Sequence, residues 1–314
     1  MTAAMSTSPT RADIAPVPLD LVETDLGQAA DRFGDSFRRT GFAVVEGHGI
    51  DDGVIASARQ AARDFFALPD HVKRRYHQPG GAGQRGYTPF GIEMAKGHTH
   101  HDLKEFWHVG RDLPEGHRFA SRMPPNIWPD DALPGFRPAM QALFSALETT
   151  GGRVLRAIAV NLGRAPDFFA DPVQDGNSIL RLLHYPPVSP DAPGVRAGAH
   201  EDINVITLLL GAEEAGLELI SRDGEWLSVP APPGSLVINV GDMLQRQTGG
   251  ILPSTTHRVV NPAPERRHLS RYSMPFFLHY RPDWFIEPFV ARDDMPAILA
   301  DDYLMQRLQE IKLT

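Results

Sequence analysis

Ala199-His200-Glu201-Asp202 runs directly into Ile203-Asn204-Val205-Ile206-Thr207-Leu208-Leu209-Leu210. A histidine and an aspartate two residues apart thus stand before an apolar, β-branched run. Positions i and i+2 of a strand point to the same side. At the mouth of a strand, His200 and Asp202 would therefore aim an imidazole and a carboxylate at one point. That pair is two-thirds of a metal site, and the missing ligand belongs on a distant strand. His257 is the best-placed candidate. It heads the apolar segment His257-Arg258-Val259-Val260, 55 residues after Asp202, which leaves room for several strands to bring the chain back.

Each of the three has a plainer role open to it: a turn cap, a strand-end cap and a core histidine. Together they match a set in which two histidines and one carboxylate leave open positions opposite, as in non-haem Fe(II) oxygenases. Fourteen residues after His257, Arg271-Tyr272-Ser273 repeats the i, i+2 device with a guanidinium and a hydroxyl. A buried arginine needs an anionic partner, and its planar fork fits a carboxylate. The plainer alternative there is a structural ion pair with an aspartate.

Composition narrows the options. The chain has 314 residues, 42% of them hydrophobic, which supports a large core. Lys and Arg number 31 against 39 Asp and Glu, a net charge of −8, which speaks against nucleic acid or an anionic membrane as partner. With no cysteine, disulfides, thiolate metal sites and cysteine nucleophiles are excluded, so a transition metal would need histidine and carboxylate. No apolar run reaches membrane-spanning length, and the Ser/Thr/Ala-rich start lacks the apolar core of a signal peptide. The expectation is a cytoplasmic protein, monomeric or weakly homo-oligomeric, that acts on a small molecule.

Along the chain, residues 1–13 read as a loose tail and Val17–Leu21 as a short strand. Residues 27–40 form an amphipathic helix on Ala29, Phe33 and Phe37. Phe42–Glu46 is a strand, and Asp51/Asp52 cap a second helix. Residues 78–88 read as a Gly-rich loop. A long helix spans about 134–162, with Gly151-Gly152 a candidate break. Short strands follow at Ser178–Tyr185, Ile203–Leu210, Gly216–Ile220, Trp226–Val229, Ser235–Val240, His257–Val260 and Ser270–Tyr280. That density of strands and turns suggests a sandwich or jelly roll. A last helix covers about 295–311. The expected class is mixed α+β, a double-stranded β-helix (jelly roll) core flanked by helices. After the tail, residues 14–314 would form one domain: helical over about 14–175, jelly roll over about 176–282, then the C-terminal helix. His98-Thr99-His100-His101-Asp102 reads as a polar loop rather than a zinc site, and Asp242 in Gly241-Asp242-Met243-Leu244 as structural. Glu201, between two ligands, should point away.

The His-x-Asp, His, Arg-x-Ser series resembles the isopenicillin N synthase-like Fe(II)/2-oxoglutarate-dependent dioxygenases, and the resemblance covers nearly the whole chain. Ile14–Leu21 looks like the family's opening strand. Gly41-Phe42-Ala43-Val44-Val45-Glu46-Gly47-His48-Gly49-Ile50 looks like its Gly-Phe-Phe-x-Val-x-Asn-His-Gly-Ile segment, and Arg181-Leu182-Leu183-His184-Tyr185-Pro186-Pro187 like its Asn-Tyr-Tyr-Pro strand. Leu183 stands where many members carry Asn. The resemblance implies Fe(II) on His200, Asp202 and His257. It also implies 2-oxoglutarate chelated to the metal, its distal carboxylate on Arg271 and Ser273 with Tyr185 assisting, and O2 as oxidant. The products would be CO2, succinate and a hydroxylated, desaturated or cyclised small molecule. Arg85–Gly91 and Lys104–Gly110 resemble segments at the active-site mouth, which puts Tyr87, Phe106 and His108 forward as substrate-facing. Two other readings stay open: an Fe(II) oxidase of the same fold that does not use 2-oxoglutarate, and a non-enzymatic jelly-roll binder.

Overall fold

The computed structural model describes residues 10–80, 83–92, 102–187, 195–211 and 216–310. The N-terminal part runs β1 (Pro16–Pro18), α1 (Leu21–Thr24), α2 (Leu26–Thr40), β2 (Phe42–Glu46), α3 (Asp52–Phe66) and α4 (Asp70–Lys73). It continues through β3 (Gly86–Thr88), β4 (Glu105–Gly110), α5 (Phe136–Asn161) and α6 (Ala170–Val173). The strand-rich part holds β5 (Ile179–Tyr185), β6 (Ala197–His200), β7 (Ile206–Leu210), β8 (Leu217–Ile220), β9 (Trp226–Ser228) and β10 (Leu236–Val240). Next come α7 (Asp242–Gln247), β11 (His257–Val259), β12 (Arg271–Ser273), β13 (Pro275–Leu278), β14 (Phe285–Ile286), β15 (Ile298–Leu299) and α8 (Ala300–Glu310).

Local chemistry sets the helix ends. Asp25 caps α2 by accepting from Gln28 N–H, and Asp51 caps α3 by accepting from Val54 N–H. Gly41 closes α2 in the left-handed region at φ 71°. The buried stripe of α2, with Ala29, Phe33 and Phe37, meets the long buried face of α5. The Gly151-Gly152 pair does not break α5, which runs unbroken over 26 residues. A Cβ on Gly151 would lie 2.5 Å from Leu278 Cδ1 and 3.4 Å from Leu208 Cδ1. The glycine lets the helix sit close on the sheet, and that packing offsets its weak helix propensity.

Nine strands form the major sheet, in the order β1-β2-β10-β7-β13-β5-β4-β3, with β12 also paired to β5. The minor sheet is β6-β11-β8-β9. Alternation sorts the major sheet's side chains. Ile206, Leu208, Leu236 and Ile238 join the helix-side core, whereas Val237 joins Leu219, Phe42 and Val44 in a second cluster between the sheets. Helices outside, two facing sheets inside: this is the expected jelly-roll core flanked by helices.

Several expected boundaries move. β7 begins at Ile206 rather than Ile203, β6 is an unforeseen strand, and Gly86–Thr88 is strand rather than loop. The C-terminal helix begins at Ala300, because Ile298 and Leu299 pair with β14. Order reaches into the expected tail: Ala12 N–H donates to Ser228 C=O, and Ala12 is buried. His98, His100 and His101 lie outside the described residues. Among the described residues, no helix is long and apolar enough to cross a membrane.

The short helix α7 starts tight against the β6–β7 link. Asp242 N–H donates to Asp202 C=O, and Met243 N–H donates to Asn204 C=O. A Cβ on Gly241 would lie 2.2 Å from the Asn204 carbonyl oxygen, which is backbone and cannot swing aside. Gly241→Ala should therefore cost about 1–3 kcal/mol of unfolding free energy, the usual range for overpacking. Urea denaturation of both proteins checks this, and equal midpoints would contradict the close approach.

Candidate active site

His200 ends β6 and His257 opens β11, and the two are cross-strand neighbours in the minor sheet. Their ring centroids are 4.4 Å apart. Asp202 lies on no strand; it sits in the link from β6 to β7. Strand parity therefore does not unite the pair, contrary to expectation. The link crosses from the minor sheet to the major one, and Asp202 turns inward at the crossing. Its Oδ1 is 3.7 Å from Nε2 of each histidine. One ligand atom from each residue lies within 4.8 Å of the others, a spacing that suits one metal ion.

The surroundings orient all three. His200 Nδ1–H donates to Gly198 C=O at 2.7 Å, and His257 Nδ1–H to Thr255 C=O at 3.1 Å. Carbonyls only accept, so the proton sits on Nδ1 and each Nε2 keeps a lone pair toward the centre. Asp202 Oδ2 accepts from Thr207 Oγ1 at 2.5 Å and Asn239 Nδ2 at 2.8 Å, leaving Oδ1 to face the imidazoles. Burial raises the Asp202 pKa, but the two histidines and these hydrogen bonds outweigh it and hold the group below its ordinary value. Burial first, then the neighbouring His257, push His200 down to about 4. The His200 side chain is nevertheless 41% exposed, against 9% for His257 and 5% for Asp202, so water at its open side tempers that downward push. Neutral imidazoles beside an ionised carboxylate form a donor set suited to Fe(II).

The expected diacid contacts also converge. β12 lies against β5, with Arg271 opposite Tyr185 and Ser273 opposite Leu183. All four side chains are buried. The Arg271 guanidinium lies 5.1 Å from the Tyr185 ring centre. Arg196, fully buried just before β6, lies 5.9 Å from the same ring and donates to Leu269 C=O.

Of the three residues put forward as substrate-facing, two share this inner face. Phe106 pairs with Leu183 and His108 with Arg181. Tyr87 is a correction: it pairs with Trp107, so its side chain points to the opposite face. There it packs on Phe65, and its hydroxyl donates to Glu105. Glu105 also binds Lys73 at 2.7 Å and His184 at 2.7 Å, which makes this a buried structural network. Glu201 leaves the cluster to accept from Thr256 Oγ1. Asp242 is buried and accepts from Arg307 Nε.

Sequence reasoning missed Thr207, Asn239, Arg196 and the buried Lys104–Asp102 pair. Lys104 Nζ is 2.8 Å from Asp102, whose other oxygen accepts from Gly198 N–H just before His200. Thr207 alone left a trace, as the one hydroxyl within the apolar run; strand alternation over the five residues from Asp202 would turn it to the opposite side, and it faces Asp202 because the link between them is not a strand.

A jelly roll that holds two histidines and an aspartate at a crossing between its sheets defines a mononuclear non-haem metal enzyme. Two family models match the chain: the "non-haem dioxygenase in morphine synthesis N-terminal" region over residues 13–131, and the "2OG-Fe(II) oxygenase superfamily" over 176–280. The 2-oxoglutarate-dependent dioxygenase citB of Monascus ruber is 34% identical over 312 residues, covering 94% of this chain and 93% of its own. A 2OG-Fe(II) oxygenase family protein from Caulobacter crescentus superposes at a TM-score of 0.88 with 52% identity, over 96% of this chain and 99% of its own. Neurospora crassa T7H in complex with alpha-KG and thymine superposes at 0.82 with 28% identity, over 96% and 99%. The chain belongs to the 2OG-Fe(II) oxygenase superfamily. It is an Fe(II)- and 2-oxoglutarate-dependent dioxygenase with O2 as co-substrate. This decides against the non-enzymatic binder and the oxidase independent of 2-oxoglutarate.

Two outcomes follow from this geometry. Thr207→Val removes the hydroxyl that orients Asp202, and should weaken anaerobic Fe(II) binding by roughly 10- to 100-fold; unchanged binding would mean Asn239 suffices. His279 is buried, donates from Nδ1 to Phe277 C=O, and is pushed by burial down to about 4. Its folded value lies below the unfolded one, so the stability of the neutral form is complete above about 6.5 and is lost as pH falls toward 4. Proton NMR of the metal-free protein should show this ring still neutral at pH 5.5; a midpoint above 6 would contradict the burial argument.

Proposed function

We propose that His200, Asp202 and His257 hold the Fe(II), and that Arg271 and Ser273 take the distal carboxylate of 2-oxoglutarate with Tyr185 beside them. The supporting observation is the placement of Arg271. A buried guanidinium and a hydroxyl share the inner face that the metal cluster looks onto, with an aromatic ring against the guanidinium. In such surroundings an arginine fork and a carboxylate form a strong, directional pair. When bound, the metal and 2-oxoglutarate supply oxidative decarboxylation to succinate and CO2, coupled to a two-electron oxidation of the substrate.

The chain's own part is binding and positioning. His200 and His257 present lone pairs fixed by the Gly198 and Thr255 carbonyls. Asp202 brings the negative charge of the set, held ionised by the neighbouring His257 and His200 and by hydrogen bonds from Asn239 and Thr207. The apolar cluster of Phe106, Leu183 and Tyr185 keeps water from the co-substrate's flank. The primary substrate is a small organic molecule seated near Phe106 and His108, and its oxidation is a hydroxylation, desaturation or cyclisation. The superposition with T7H bound to thymine supports an organic molecule of that size.

Anaerobic titration of Fe(II) and 2-oxoglutarate should give the visible charge-transfer band of the chelate, and Asp202→Ala should abolish both band and succinate formation. Arg271→Ala should keep metal binding but raise the 2-oxoglutarate requirement by one to three orders of magnitude, since breaking a buried charge pair costs about 2–5 kcal/mol. An unchanged requirement would remove Arg271 from the co-substrate site.

A further inference from the structure

The two histidines of the cluster are held differently. The His257 side chain is 9% exposed, and its ring packs edge-on with Phe42, centroids 5.6 Å apart. Thr255, whose carbonyl takes its Nδ1–H, lies tight against Gly41. The His200 side chain is 41% exposed. Beyond the cluster itself, its ring has one hydrogen-bond partner among the described residues, the Gly198 carbonyl. That carbonyl sits in an irregular stretch. On β11 one residue, Arg258, separates His257 from Val259, whereas on β6 two residues, Gly198 and Ala199, separate their partners His200 and Ala197. Two residues against one is a β-bulge, where the ladder is disrupted. A glycine there has wide φ/ψ freedom, so the ladder alone does not fix where its carbonyl points.

The chain that leads into the other sheet supplies the missing restraint. Asp102 stands just before β4. Its Oδ1 accepts from Gly198 N–H at 3.2 Å, and its Oδ2 accepts from Lys104 Nζ at 2.8 Å. Next to it, Leu103 N–H donates to Val195 C=O at 3.2 Å. The entrance to β6 is thus pinned at two points. The Asp102 and Lys104 side chains are both buried. A carboxylate so enclosed is tolerated when it is paired and hydrogen-bonded. Lys104 pairs the charge, and the remaining oxygen is directed at backbone two residues from His200.

We propose that Asp102, held by Lys104, is a positioning residue for the metal centre: it fixes Gly198, whose carbonyl keeps the Nε2 lone pair of His200 directed at the metal position. The inference rests on the assignment of Fe(II) to His200, Asp202 and His257 above. Asp102 acts through two hydrogen bonds in series, from Gly198 N–H to its own Oδ1 and from His200 Nδ1–H to Gly198 C=O. A carbonyl only accepts, so while it faces Nδ1 the proton stays there and Nε2 remains a donor to metal. If Gly198 turns away, Asp202 Oδ1, 3.7 Å from His200 Nε2, is the acceptor in reach. It then draws the proton to the nitrogen that must bind the metal. His257, enclosed by Phe42 and anchored on Thr255, does not need this support. The same segment continues into β4, which carries Phe106 and His108, so the open metal ligand and the substrate-facing strand share one anchor.

The test compares two double variants of the full-length chain. Both carry Lys104→Met, so that no buried lysine loses its carboxylate. Asp102→Asn keeps an oxygen acceptor for Gly198 N–H, and Asp102→Leu removes it at nearly the same volume. In anaerobic titration, Asp102→Leu/Lys104→Met should bind Fe(II) roughly 10- to 100-fold more weakly than the wild type, the range for losing an outer contact to a ligating histidine. Asp102→Asn/Lys104→Met should bind close to the wild type. In the metal-free proteins, nitrogen–proton correlation spectra should find His200 as the Nδ1–H tautomer in the wild type and the Asn variant, and shifted toward Nε2–H in the Leu variant. A merely structural staple would lower the urea midpoint of the Leu variant while leaving its Fe(II) affinity and tautomer equal to those of the Asn variant, and that result overturns the proposal. So does an Asn variant that loses as much affinity as the Leu variant, or a wild type whose His200 is Nε2–H or whose Gly198 amide exchanges as fast as an open loop. These wild-type measurements decide the matter even if the Leu variant does not fold. A wild type with the Nδ1–H tautomer that takes up no Fe(II) refutes the iron assignment instead.

Discussion

The Asp202 carboxylate, gripped by Thr207 and Asn239 on one oxygen and facing two imidazoles with the other, is the interaction on which the rest of the structure depends. Burying a charge this deeply is costly unless it is paired and hydrogen-bonded. The fold supplies those partners from separate places. Thr207 comes from β7, Asn239 from the neighbouring β10, and the histidines from the other sheet. The carboxylate is therefore stable only when both sheets and the link between them are in place. Formation of the candidate metal centre and correct facing of the sheets are one event.

The link itself is braced from outside. Backbone N–H groups at the start of α7 bind the Asp202 and Asn204 carbonyls, and Gly241 permits the approach. Arg307 of α8 in turn binds the buried Asp242. The C-terminal helix thus reaches the centre through two contacts, without touching it. On the other side, Gly151 lets α5 sit close on Leu208 and Leu278, behind the sheet that carries Thr207. The helices are the backing that holds the inner face to one shape.

β5 shows how alternation separates tasks along one strand. Its outward side chains, Leu180 and Leu182, join the helix-side core, while outward His184 enters the Glu105 network. Its inward side chains Leu183 and Tyr185 cluster with Phe106 on the opposite face. Neighbouring β4 repeats the division, with Glu105 and Trp107 behind and Phe106 and His108 in front. Tyr87 was legible as an aromatic near the mouth, but not as one on the wrong face. Which face it takes depends on its register with Trp107, and a three-residue strand in a Gly-rich stretch carries no alternation from which to read register.

The sequence by itself determined the jelly-roll class, the spacing of His200, Asp202 and His257, and the Arg-x-Ser pair. These follow from residue types that have few other uses in apolar runs, and from periodicities that survive in one dimension. Tertiary structure alone decided how the motif works. His200 and Asp202 converge because the chain changes sheet between them, not because they share a strand. Thr207, Asn239, Asp102 and Arg196 are ordinary residues in the sequence. Their meaning comes from neighbours on strands far away in the chain, and hydrogen bonds between distant strands leave no local pattern to read.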